Sequence, residues 1–222
     1  MNLIFQSYHA ADEKAWDKKL DCYRPIDDMA DLSIRAMKKY AESIGAEYIL
    51  ETEPYDDPIM KHPAWTRWKM FDHWNAYDNL CYIDCDILPT EHAFGKSIFD
   101  TDGHAKLTER DEGSRQAWHV NAGVFKVDRR EAQRLKNSIH NKTYIKLLAN
   151  TGKNQDAFNI CFKKTFTRKP KHFGTACNTT RPYHREGKYY FHHYIGAQKT
   201  PKGNQFGNLY TRGVYEWNLK NV

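Results

Sequence analysis

The chain has 222 residues, 40% of them apolar and 14% aromatic, which is enough for the core of one large domain and excludes general disorder. Its uncharged apolar runs stop well short of the roughly 18 residues that a membrane-spanning helix needs. The net charge of +6 conceals an uneven distribution: residues 161–222 carry 12 Lys+Arg against 2 Asp+Glu, and residues 1–160 carry 22 against 26.

The opening segment MNLIFQSYHAADEK lacks a basic stretch followed by a long apolar one, so it reads as the start of the mature fold and not as a signal peptide. Residues 3–5 are a short apolar run, a first strand. Residues 30–44 place Leu32, Ala36, Met37, Tyr40 and Ile44 at helical spacing and end at Gly45, the pattern of a helix with a glycine C-cap. Residues 47–51 read as a second strand. Strand, helix, strand is how a parallel α/β sheet begins. After a loop rich in proline and charge, the pattern predicts an amphipathic α-helix over 65–77 and a buried central strand over 80–83. Another strand is expected over 120–127, helix over 129–150, and a short helix over 156–162. Beyond residue 165 the chain is basic, aromatic and punctuated by glycine, which predicts long loops and short strands wrapping the sheet. No internal repeat or low-complexity tract appears. The expectation is one catalytic domain spanning 1–222, with a ligand-binding part over about 1–120 and a second part over about 121–222.

The sharpest local signal is Leu80-Cys81-Tyr82-Ile83-Asp84-Cys85-Asp86. Side chains two apart on an extended chain face the same way, so Asp84 and Asp86 would present two carboxylates together where a buried strand ends. Ligands of open α/β sheets lie outside the carboxyl ends of the strands. Two hard oxygen donors there suit Mg²⁺ or Mn²⁺. The plainer alternative is an acidic turn with capping aspartates. Upstream, Arg67 sits on the helix leading into this strand, where its guanidinium could reach an anionic ligand, or simply lie on the surface. Asn121-Ala122-Gly123-Val124 offers small residues that let a ligand approach the backbone, beside an amide that both donates and accepts. Asn154-Gln155-Asp156 gathers polar side chains at the start of a helix, with N-capping as the alternative. His192-His193-Tyr194-Ile195-Gly196-Ala197-Gln198-Lys199 combines an imidazole, a glycine that admits a phosphate and a lysine that neutralises it. Read alone, adjacent histidines in a strand are more often packing partners.

In this order the five segments resemble the GT-A glycosyltransferases, most closely glycosyltransferase family 8, the galactosyltransferase and glycogenin-like group. That family places an Arg before the DxD strand, then NAGV, DQD and HxxGxxK. The resemblance covers roughly residues 1–200. It implies a GT-A fold, a single Rossmann-like, mainly parallel sheet flanked by helices with a basic, loop-rich C-terminal part. It also implies transfer of a sugar from a nucleoside-diphosphate sugar, by the family pattern a UDP-sugar, to a hydroxyl of a carbohydrate or glycoconjugate acceptor, with retention. Asp84, Asp86 and His193 would bind Mn²⁺ (or Mg²⁺). Arg67 would contact the donor, Asn121 would face its sugar, and Gly196 with Lys199 would hold the diphosphate. Gln155 would lie beneath the anomeric carbon, with Asp156 beside it. The family's first aspartate of DQD is Asn154 here, which removes a carboxylate from the donor-sugar site. Tyr8, with Ser7 beside it, is the candidate for stacking on the base.

Two rival readings carry less of the sequence. A haloacid-dehalogenase-like phosphatase also uses two aspartates two residues apart at a strand end, but on its first strand and followed by Thr or Val where position 88 is Leu. A nucleic-acid-binding module would use the basic, aromatic C-terminal part for stacking. No RRM, KH or zinc-finger pattern accompanies it, so no nucleic acid partner is expected. The basic part instead suits an anionic acceptor or a peripheral contact with a membrane surface, or is a solvated face. The five cysteines, Cys22, Cys81, Cys85, Cys161 and Cys177, are odd in number and form no CxxC. That gives no support to a zinc ribbon or a thioredoxin-type site and favours a reducing, cytoplasmic setting.

Overall fold

The computed structural model describes residues 1–9, 16–17, 22–23, 26–56, 60, 63–103, 105–107, 120–139, 190–194 and 209–222. In chain order the elements are β1 (Asn2–Ser7), β2 (Trp16–Asp17), β3 (Cys22–Tyr23), α1 (Ile26–Ser43) and β4 (Glu47–Glu51). A 3₁₀ helix (Pro63–His73), β5 (Asn79–Ile83), β6 (Ile87–Pro89) and a short 3₁₀ turn (Ile98–Asp100) follow. The remainder is β7 (Ala105–Leu107), β8 (Val120–Asp128), α2 (Arg129–Ile139), β9 (Phe191–His193) and α3 (Leu209–Asn221).

The main sheet has the order β4-β1-β5-β8-β7. β4, β1 and β5 run parallel; β8 pairs antiparallel with β5, and β7 pairs antiparallel with β8 and so runs in the direction of β5. Helix α1 makes the crossover between β1 and β4. β5 lies at the centre, where both faces are covered, which is why its sequence is a continuous apolar run. Alternation splits that run between two cores. Leu80 and Tyr82 join Leu3, Phe5, Trp68 and Phe71 on the face covered by the 3₁₀ helix and α2. Cys81 and Ile83 join Ile4, Met37 and Tyr40 on the face covered by α1. A third cluster, with Leu32, Leu88, Tyr194 and Val214, ties α1 to β6 and α3.

Helix α1 closes in the way its sequence promised. Gly45 stands at φ +65°. Its N–H donates to Glu42 O at 3.2 Å and the Ala46 N–H donates to Ala41 O at 2.9 Å, a Schellman closure.

Three expectations are corrected. The segment expected as an α-helix over 65–77 is a 3₁₀ helix over Pro63–His73. Trp65, Trp68 and Phe71 are spaced by three, and three residues per turn put all of them on one side. Their rings meet at centroid distances of 6.1 and 5.6 Å. The C-terminal part also holds the 13-residue helix α3 where only loops and short strands were expected. Its Trp217 packs on Phe94, and Asn218 donates to Pro89 O, so contacts with distant residues stabilise a segment of weak helical patterning. Finally, β6 and β7 were not foreseen; each has three residues, too few to show a period. Helix α2 is described to Ile139, and the expected helix over 156–162 lies outside the described residues. Among the described residues no helix is long and apolar enough to cross a membrane.

Candidate functional site

Asp84 follows the last residue of β5, and Asp86 lies in the turn leading to β6. The two carboxylates therefore do not sit on a strand, and alternation is not what brings them together. The turn is held at nearly every peptide. Asp84 N–H donates to Gly123 O of β8 at 2.8 Å, and Tyr194 N–H donates to Asp86 O at 2.8 Å. Gln6 Nε2 on β1 donates to Asp84 O at 3.3 Å, and Ser33 Oγ on α1 donates to Ile87 O at 2.7 Å. Gln6 also donates to Ser33 Oγ at 3.2 Å and accepts from the Tyr48 hydroxyl at 2.8 Å. A fully buried glutamine in a core strand is tolerated because its polar atoms are satisfied in this way.

Beyond the turn, β6 pairs antiparallel with β9 and sets Ile87 opposite His193. This pairing carries His193 across more than 100 residues of sequence to the aspartates. His193 Nε2 stands 3.2 Å from Asp86 Oδ1, and both side chains are largely buried. One ligand atom from each of Asp84, Asp86 and His193 lies within 4.8 Å of the others. Two carboxylates and an imidazole converging at the carboxyl end of a central strand form a set that fits a divalent cation.

Arg67, on the 3₁₀ helix, completes the wall. Its Nη2 lies 3.5 Å from Asp84 Oδ1, its Nη1 donates to Ala122 O at 3.2 Å, and its guanidinium rests over the Tyr82 ring, 5.1 Å from the centroid. Burial acts to lower the Arg67 pKa, but Asp84, with smaller help from Tyr82 and Asp86, outweighs it and holds the pKa above its ordinary value. The Tyr82 hydroxyl donates to Asp84 Oδ1 at 2.6 Å. Burial foremost, and the Asp84 charge next, push the Tyr82 phenol well above its usual range. The Cys85 thiol donates to Ser7 O at 3.5 Å. Burial foremost, then Asp84 and Asp86, raise its pKa, so it remains a neutral thiol.

Of the residues singled out in the sequence, Asp84, Asp86, His193 and Arg67 meet at one place. Ser7, at the end of β1, adjoins them through its hydroxyl, 3.2 Å from the Tyr82 hydroxyl. Tyr8 follows β1, where its N–H donates to Glu51 O at 2.9 Å. Asn121 lies on β8, two residues before the Gly123 that binds Asp84. Asn154, Gln155, Asp156, Gly196 and Lys199 lie outside the described residues. Sequence reasoning passed over Tyr82, Gln6 and Ser33. A glutamine inside the apolar run of β1 was the signal available for Gln6.

No protein-family profile matches the sequence, and no curated protein aligns with it significantly. Solved structures do match. A glycosyltransferase involved in glycosylation of the major capsid of PBCV-1 superposes with a TM-score of 0.55 at 15% identity, covering 89% of this chain and 94% of its own. Galactosyltransferase LgtC, crystallised with donor and acceptor sugar analogues, gives 0.57 at 15% identity, covering 99% and 96%. The chain has the GT-A glycosyltransferase fold. A third match, glycosyltransferase GlyE of Streptococcus pneumoniae TIGR4, gives 0.57 at 13% identity; it covers 99% of this chain, which spans 61% of the GlyE chain. The GT-A fold assembled here is α/β with its parallel strands β4, β1 and β5 aimed at the Asp84 turn, in line with the sheet the sequence led one to expect.

Proposed function

We propose that this chain is a divalent-metal-dependent glycosyltransferase that moves a sugar from a nucleoside-diphosphate sugar to the hydroxyl of a carbohydrate or glycoconjugate acceptor. The observation that carries the reading is the convergence of Asp84, Asp86 and His193 at the carboxyl end of the central strand of a GT-A fold. Asp84, Asp86 and His193 would hold Mn²⁺ or Mg²⁺, and the nitrogen donor weighs toward Mn²⁺. When bound, the cation would neutralise the diphosphate as the leaving group gains charge. The resemblance to family 8 makes uridine diphosphate the expected nucleotide.

The remaining roles belong to the chain's own groups. Arg67 supplies a permanent positive charge beside the cation site, available to the donor. By the family resemblance, Lys199 and the backbone at Gly196 would hold the phosphates. Charge on the departing diphosphate is stabilised more in the transition state than in the ground state, so no acid is needed to protonate it. Ser7 and Tyr8, where β1 ends, receive the nucleoside. By the same resemblance, Asn121 and Asn154 would face the sugar. Gln155, again by the family resemblance, would lie beneath the anomeric carbon and would stabilise positive charge there through its carbonyl oxygen. An amide cannot take the acceptor's proton, so the departing phosphate oxygen takes it on the same face, and the configuration is retained. Asp156 is the nearby carboxylate that would permit inversion by acting as a base.

A screen of nucleotide sugars with Mn²⁺, scoring donor hydrolysis, tests the activity. Asp84→Asn should cut turnover on the order of 100-fold or more while leaving the fold intact, because several kcal/mol of transition-state stabilisation leave with the cation. Normal turnover of that variant, or of the wild type in chelator, would refute the metal. NMR of the first product linkage tests retention: a β-linked product from an α-linked donor would refute it. Absence of hydrolysis with every nucleotide sugar would refute the reaction class.

A further inference from the structure

The Tyr82 side chain is buried between aromatic neighbours, with ring centroids 5.3 Å from Phe125 and 6.5 Å from Phe5. A core position that needed only apolar area would be served by Phe. The hydroxyl instead emerges at the carboxyl end of β5 between two polar partners, Asp84 Oδ1 at 2.6 Å and Ser7 Oγ at 3.2 Å. A phenol carries one proton, and an ionised carboxylate only accepts. Tyr82 therefore donates to Asp84 and accepts from Ser7. The reach follows from position: β5 ends at Ile83 and Asp84 comes directly after it, so the hydroxyl at the end of the strand meets the first carboxylate of the turn. Arg67 Nη2 approaches the same carboxylate oxygen, 3.5 Å away. Both restraints thus fall on Oδ1. Among the described residues, Oδ2 of Asp84 takes part in no hydrogen bond.

We propose that Tyr82 is a positioning residue for the cation site: by holding Oδ1 of Asp84 it sets the carboxylate so that Oδ2 is the oxygen offered alongside Asp86 and His193. This rests on the reading of those three residues as a divalent-cation site. Groups that hydrogen-bond a ligating carboxylate orient it, and removing one costs roughly 10- to 100-fold in metal affinity. Without the hydroxyl, the Asp84 carboxylate is free to turn toward Arg67 and must be reoriented each time the cation binds.

The test is Tyr82→Phe, which deletes one oxygen and keeps the ring beneath Arg67. Mn²⁺ is titrated into the protein with a fixed concentration of uridine diphosphate, and free Mn²⁺ is followed by electron paramagnetic resonance. The variant should bind Mn²⁺ roughly tenfold more weakly. The Mn²⁺ concentration for half-maximal turnover should rise by a similar factor, while kcat at saturating Mn²⁺ stays within about threefold of wild type. A purely structural tyrosine would lower stability and leave the Mn²⁺ requirement unmoved. The rise in melting temperature on adding Mn²⁺ and uridine diphosphate is read as a difference from each protein without them, so general destabilisation cancels; that rise should shrink in the variant. If wild type binds and Tyr82→Phe binds equally well, with Asp84→Asn weakened, the positioning role is overturned and the cation site stands. If wild type binds no Mn²⁺ beyond what uridine diphosphate binds by itself, the cation site falls and this role with it.

Discussion

His192 and His193 are neighbours in sequence and do opposite things, because β9 turns them to opposite sides. His193 faces Asp86, and His192 packs inward with its ring 4.6 Å from that of Tyr194. Burial foremost, and the neighbouring His193 next, push the His192 pKa down to about 4. The unfolded chain would titrate this imidazole near 6.5. Above that pH both states leave it neutral, and it has no effect on stability. As pH falls below 6.5 the unfolded state takes up a proton that the folded state refuses until about pH 4, so stability is lost across that window. At about 1.4 kcal/mol per pH unit, some 2 kcal/mol should be lost between pH 6.5 and pH 5. His192→Phe should remove this part of the dependence. Urea unfolding of both proteins at pH 7 and pH 5 checks it; an equal loss in the variant would show that other groups carry the acid sensitivity. At this scale the sequence named the residues that meet at the site, and for Asp84 and Asp86 it named them on a wrong premise. They converge through a turn tied down by Gln6, Ser33, Gly123 and Tyr194, four residues that come from four separate segments.

Among the elements, α1 and β5 were legible because their sequences carry a period and a stop. Helix α1 has its apolar stripe and Gly45, and β5 has its apolar run between Asn79 and Asp84. The stop at Gly45 is testable. A Cβ at this glycine would meet nothing within 4 Å, so a substitution is penalised by backbone conformation alone. Gly45→Ala should cost about 1 kcal/mol and Gly45→Asn less, because Asn tolerates the left-handed region. Chemical denaturation measures both, and equal stability of Ala and Asn variants would refute the explanation. The 3₁₀ helix over Pro63–His73 was misread as an α-helix. Its two turn types differ by a fraction of a residue per turn, and the packing of Trp65, Trp68 and Phe71 against the sheet decides between them. A similar decision falls on Lys126, whose position in a core strand looks unfavourable until Ile98 and Thr101 supply oxygens. Its ammonium donates to Ile98 O at 2.7 Å and to Thr101 Oγ1 at 3.0 Å.

For the whole molecule, charge is the property that composition announces and that the described residues leave to experiment. We propose that the excess of 12 Lys+Arg over 2 Asp+Glu in residues 161–222 helps attract an anionic acceptor or a membrane surface, beyond holding the diphosphate at Lys199. Replacing Lys163, Lys164, Lys169 and Lys171 by Gln should raise the acceptor KM several-fold at low salt and flatten its dependence on ionic strength. An acceptor KM that does not respond to salt or to these changes would identify the segment as a solvated face. The sequence by itself determined the α/β class, the central strand, and the identity of the acidic, basic and imidazole groups, because these follow from local period and residue chemistry. Tertiary structure alone decided that Tyr82 holds Asp84 and that Gln6 and Ser33 pin the turn, and it set His193, which the family resemblance had grouped with the aspartates, 3.2 Å from Asp86. Those contacts depend on strand order and register, in which β5 lies between β1 and β8 and β9 pairs with β6. Alternation limits the register within a pair, but which strands pair is decided by packing between segments far apart in sequence.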